Sequence, residues 1–192
     1  MSRRVDIILD LETLGTDPGA VVLQIGAIAF NRETGERLAS LIHNIEIGSQ
    51  LLLGMEINQA TLLWWRSQPE DARAIVFAPG VPVQQAVQDF QTFWQSAGCD
   101  ETTAIWARGS DFDPPIWAEA MRRAGNLPAP WRYDKKRDTR TAFDVLGFDT
   151  KSIPRPKAHQ ALEDVKHDLH CLRRAGLFGD AVRLTAQAEV GT

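Results

Sequence analysis

Only two cysteines, Cys99 and Cys171, occur in 192 residues. Two thiols can build neither the disulfide framework of a small secreted domain nor a four-thiolate zinc site. A reducing, cytoplasmic setting is therefore expected. No apolar run approaches the roughly 20 residues of a membrane span, so no membrane partner is expected. The opening MSRRVDIILDLE carries early positive charge, but its apolar stretch is short and broken by acids. It does not read as a signal peptide. An excess of basic residues is missing too: 21 Lys and Arg stand against 25 Asp and Glu, a formal net charge of −4. A broad basic footprint for duplex binding is thereby excluded, while local contact with nucleic acid is not. Internal repeats, low-complexity tracts and long linkers are also lacking.

What is present is a change of periodicity along the chain. Residues 5–12 alternate as a strand, and AVVLQIGAIAF (20–30) is a continuous apolar strand of the kind covered on both faces. LASLIHNIEI (38–47) reads as a third strand after the turn ETGE. Helical patterns follow over residues 58–68, with Asn58 as N-cap, and over 82–98. TTAIWAR (102–108) reads as a strand, 113–125 as a helix opening on Asp-Pro, and 137–148 as a short helix. The strongest helix lies in 159–177, with Leu162, Val165, Leu169 and Leu172 as its apolar stripe. Three strands and then helix-linked strands predict one mixed sheet with helices on both faces.

Acids interrupt this pattern at three places. In IILDLETLGT, Asp10 and Glu12 alternate, so they share a strand face with Asp6 and Ile8. Two anions so close make sense if a divalent cation lies between them, and hard oxygen ligands suit Mg²⁺ or Mn²⁺. Taken alone, the same residues describe an ordinary solvent-facing strand. In WARGSDFDPPIW, a strand end, a glycine turn and a helix start bring Asp113 toward the same crevice, with Asp111 as its rival. Asp113 also has the position of a simple N-cap. In AHQALEDVKHDL, Asp164 and Asp168 are one turn apart. His159 precedes Asp164 by five residues, which places it ahead of the helix on a loop, where an imidazole can take a proton from water. His167, His170 and Cys171 are placed around different helix faces, which argues against zinc.

The ordered set DLET, SDFD and HQALED resembles the DEDDh 3′→5′ exonucleases, which include RNase T, oligoribonuclease and polymerase proofreading domains. WARGSDFDPPIW with RDTRTAFDVLG is similar to the exonuclease VIII-like and small bacterial exoribonuclease branch. The likeness spans roughly residues 5–175, although ARGSDFD lacks the His-Asn opening common in the second motif. It implies an RNase H-like α/β fold, a mixed five-stranded sheet whose first three strands are antiparallel. Four strands are legible directly. WRYDKKRDT (131–139) is the better candidate for the fifth, ahead of DARAIVF (71–77). Residues 1–178 would form one domain and 179–192 a helical or disordered tail.

By this resemblance, Asp10, Glu12, Asp113 and Asp164 would hold two Mg²⁺ or Mn²⁺ ions, His159 would act as general base, and Asp168 would stand outside the ligand set. Single-stranded RNA or DNA 3′ ends would be the substrate and nucleoside 5′-monophosphates the product. Thr13 and Leu14 would touch the terminal nucleotide. Trp64, Trp65, Trp106 and Phe112 are candidates for stacking on bases, with core packing as the competing role. Lys135, Lys136 and Arg137 would meet phosphates or simply be solvated. Relatives often form dimers, so a homodimer is one expected assembly. An endonuclease of the same fold and a non-catalytic nucleic-acid-binding module are the competing readings.

Overall fold

The computed structural model describes residues 4–155 and 159–179; the expected tail beyond lies outside the described residues. Strands β1 (Val5–Thr13), β2 (Val22–Asn31) and β3 (Arg37–Asn44) form an antiparallel meander. On the other side of β1, β4 (Ile105–Ala107) and β5 (Lys136–Asp138) add in parallel, giving the order β3-β2-β1-β4-β5. The expected five-stranded mixed sheet is thus present, and WRYDKKRDT supplies its fifth strand.

Both faces of β1 are covered, which explains its apolar character on each side. Ile7, Leu9 and Leu11 pack against α4 (Val83–Ser96) and α5 (Asp113–Gly125). Ile8, Ile28 and Phe30 pack against α6 (Thr139–Val145) and α7 (Ala161–Arg174). Between β3 and α4 lie α1 (Ile47–Leu51), α2 (Gln59–Ser67) and α3 (Glu70–Val76). DARAIVF is therefore helical. Among the described residues, no helix is long and apolar enough to cross a membrane.

Two expectations need correction. The third strand ends at Asn44 rather than at residue 47, and α1 follows. Gln50 of α1 explains the switch: its amide accepts from the Val22 N–H and donates to the Val22 carbonyl, both at 2.8 Å. A side chain thereby takes over the pairing that more strand would have given. The expected helix over 137–148 begins as β5, and α6 starts only at Thr139, capped by Asp138.

Candidate active site

Among the described residues β1 has no strand partner past Ile8 on its β4 side, and its carboxyl end borders a crevice. The β1–β2 register shifts between Glu12 and Thr13, a bulge that re-aims the last side chains of the strand. Asp113 stands opposite. It is the first residue of α5, the N-cap falling on Phe112, and Pro114 and Pro115 after it offer no N–H to its carboxylate. It crosses instead to β1 and accepts from the Leu11 N–H at 3.0 Å. Asp111 lies outside the crevice, its side chain 94% exposed and 3.5 Å from Lys136 Nζ.

Asp164 arrives from α7. The first turn of that helix is docked on β2: Gln24 Oε1 accepts from the Ala161 N–H at 2.8 Å. A Cβ on Gly26 would lie 2.3 Å from Leu162 N, so only glycine lets the helix come this close. Carboxylate oxygens of Asp10, Glu12 and Asp164 gather within 4.8 Å of one another. Among the described residues no other group of three His, Cys, Asp or Glu side chains does so.

Burial and mutual repulsion govern this cluster. Asp10 is held well above the usual carboxylate range by burial, then by the charges of Asp113, Glu12, Asp164 and Asp168. Burial and Asp164 push Glu12 up to about 8, with Arg155 opposing. Burial pushes Asp113 up to about 7 against the Leu11 hydrogen bond and the charge of Arg140. Asp164 is also raised by burial, less so because Arg155 donates to it at 2.9 Å. The donor set is all oxygen and crowded, its repulsion only partly offset by Arg155 on Asp164. That fits hard divalent cations such as Mg²⁺ or Mn²⁺.

The cleft has a volume of about 520 Å³ and is lined by Asp10, Glu12, Asp113, Thr13, Trp64, Phe112 and His159, with Arg108 and Arg140. His159 precedes α7 as expected from its spacing, at a left-handed φ of 62°. Its ring meets Trp64 edge-on at 5.1 Å. Trp64 is 44% exposed, but Trp65 is only 1% exposed and spends its indole N–H on the Thr13 carbonyl at 2.8 Å. The side chain of Leu14 is also core. Neither Trp65 nor Leu14 therefore presents a free face for stacking or wedging. Thr13 is buried, its hydroxyl donating to the Gly15 carbonyl, and Phe112 is half-buried. Trp106 donates to Asp6, away from the cleft.

Several partners escape a reading of the sequence. Asp168 is buried and saturated by the Arg108 fork and by Thr139 Oγ1 at 3.1 Å. Arg108 and Arg155 are isolated arginines in sequence, and Arg140 ends the basic run KKRDTR, of which the sequence points no more to Arg140 than to its neighbours. His167 and Cys171, expected on different faces, meet at 3.7 Å because they are four residues apart. They form a pair, too few for a zinc site.

Against known proteins, a model of the "3′-5′ exoribonuclease Rv2179c-like domain" matches residues 5–175. The exodeoxyribonuclease of Enterobacteria phage T4 is 26% identical over 88% of each chain. The structure of exonuclease I is 16% identical with a TM-score of 0.63, over 90% of this chain and 41% of that one. Escherichia coli exonuclease I in complex with a dT13 oligonucleotide is 18% identical with a TM-score of 0.64, over 88% of this chain and 40% of that one. This chain thus spans about two-fifths of exonuclease I, and that likeness concerns the fold. The family match covers both the sheet and every element that carries a cleft carboxylate, and the chain belongs to the 3′–5′ exoribonuclease Rv2179c-like domain family.

Proposed function

We propose that this chain is a metal-dependent exonuclease that removes nucleoside 5′-monophosphates from the 3′ end of single-stranded nucleic acid. The observation that carries the reading is the convergence of Asp10, Glu12 and Asp164 within 4.8 Å, in the cleft that also holds Asp113 and the exposed ring of Trp64. Asp10, Glu12, Asp113 and Asp164 would hold two Mg²⁺ or Mn²⁺ ions. When bound, such a pair supplies charge stabilisation at the phosphoryl oxygens and a more acidic water.

The side chains of the chain do the rest. Trp64 gives the terminal base a face to stack on. His159, at the rim, accepts the proton of the attacking water on an imidazole nitrogen, so it acts in its neutral form. The new bond joins the water oxygen to phosphorus, the bond from phosphorus to the 3′ oxygen breaks, and that oxygen is reprotonated. Free Cys99 and Cys171 support a reducing, cytoplasmic setting. The RNA in the family description and the DNA in the names of similar proteins leave both strands as candidate substrates.

The test is a time course on 5′-labelled single-stranded RNA and DNA of one sequence, with Mg²⁺, Mn²⁺ or EDTA. A ladder of shortening labelled fragments is expected with metal and none with EDTA, while circular strands stay intact. Immediate release of labelled mononucleotide, or cutting of circles, would overturn the reading. His159→Ala should lower kcat by roughly 10²–10⁴-fold while calorimetry still records Mn²⁺ uptake.

A further inference from the structure

Two divalent ions would only offset the four carboxylates charge for charge, so net attraction for a polyanion falls to the cationic side chains around them. Three arginines border the acids. Arg108 is bound by the Asp168 carboxylate through its fork. Arg155 is bound by Asp164. Arg140 lines the cleft on the first turn of α6, with its side chain exposed and in no ion pair among the described residues.

We propose that Arg140 is the phosphate anchor of the site, its guanidinium receiving non-bridging oxygens of the phosphodiester that enters beside Asp113. This rests on the nuclease reading above and names the residue that holds the strand there. The neighbouring basic residues are occupied elsewhere. Lys135 pairs with Asp134 and Lys136 with Asp111. Arg137 donates to the Asp134 and Lys136 carbonyls at 2.9 and 2.8 Å. Of the run KKRDTR, only Arg140 lines the cleft.

Its position is built. Asp138 caps α6 by accepting from the Thr141 N–H at 2.9 Å, and its other oxygen accepts from the Ser110 N–H at 2.9 Å. One carboxylate thereby ties the start of α6 to the turn before Asp113. Gly109 in that turn has a φ of 124°, and a Cβ there would stand 3.3 Å from Arg140 Nη1 and 3.6 Å from Phe112 Cβ. The guanidinium therefore rests beside the glycine. Its charge also reaches Asp113, whose affinity for a proton it lowers. A planar fork suits two phosphate oxygens, which a lysine ammonium meets only as a point charge.

The experiment measures binding of a 5′-labelled single strand with phosphorothioate 3′-terminal linkages, by fluorescence anisotropy in Mn²⁺ across a salt series. Arg140→Gln should raise Kd about tenfold or more and flatten the slope of log K against log salt by about 0.7, the share of one phosphate contact. Arg140→Lys should restore the slope but only part of the affinity. Mn²⁺ uptake by calorimetry should match wild type in both variants. An unchanged Kd and slope in Arg140→Gln would overturn the assignment. So would lost Mn²⁺ uptake, which would mean that Arg140 acts only through Asp113. If wild type binds no single strand, the nuclease reading itself falls, and this assignment with it.

Discussion

Asp6 and Asp10 sit on one face of one strand, yet they are opposites. Asp6 is 1% exposed and takes bonds from Arg32, the Ala104 N–H and the Trp106 indole N–H. The leading influences on Asp10, burial and the charges of four neighbouring acids, work against its charge. A carboxylate saturated by donors is structural, and one left crowded by its own kind is available to a cation. Alternation in the sequence locates both acids but does not separate them, because the donors come from distant segments. The same limit applies to Asp111 and Asp113. Asp113→Asn should drop nuclease activity to background and weaken Mn²⁺ binding by calorimetry, while Asp111→Asn should leave both unchanged. The reverse result would move the second motif by two residues. The adjacent tryptophans divide in a similar way. Trp65→Ala should lower stability by about 3–5 kcal/mol in denaturant unfolding, as a core truncation. Trp64→Ala should keep its stability and raise KM about tenfold, since a base–aromatic stack contributes roughly 1–3 kcal/mol.

Among the elements, α7 carries the most chemistry, and its seat depends on β2. Gln24 holds its first N–H and Gly26 clears its path. Gly26→Ala should destabilise the fold by about 1–3 kcal/mol through overpacking, and should weaken Mn²⁺ binding more than Trp64→Ala does, because Asp164 moves with the helix. Equal metal affinity in Gly26→Ala and wild type would show that the helix start yields without shifting the cluster. The long elements were legible from the sequence: the first two strands, α4, α5 and α7 each repeat their period often enough to show it. Of the short ones, β4 and α6 were legible from their apolar residues and caps, whereas β5 and α1 were not legible directly. β5 is Lys-Arg-Asp, three polar residues whose only strand signal is their pairing with β4. α1 is five residues fixed by one glutamine.

For the molecule as a whole, the site is a source of instability until it is neutralised. In the folded chain, burial and repulsion hold the proton on Glu12 up to about 8 and on Asp113 up to about 7, against ordinary values of 4.5 and 3.8. As pH rises, the unfolded chain releases these protons first, so over that window the folded state binds more of them. The stabilisation is fully present below the ordinary values and is lost as pH passes the raised ones. In EDTA, Tm should therefore fall between about pH 5 and pH 8, and saturating Mn²⁺ should remove most of the slope by binding the charged carboxylates. A Tm in EDTA that is flat across this range would contradict the crowding. The carboxylates also come from remote stretches of chain: Asp10 lies on β1, Asp113 on α5 and Asp164 on α7. A cation bound among them would therefore act as a clasp across most of the fold. During synthesis, which runs from β1 toward α7, a nascent chain that ends in α6 has the first acids and the anchoring arginine but lacks Asp164 and His159. On the proposed reading such a chain would be unarmed while it is still being made, its cutting centre closing only when the last helix docks.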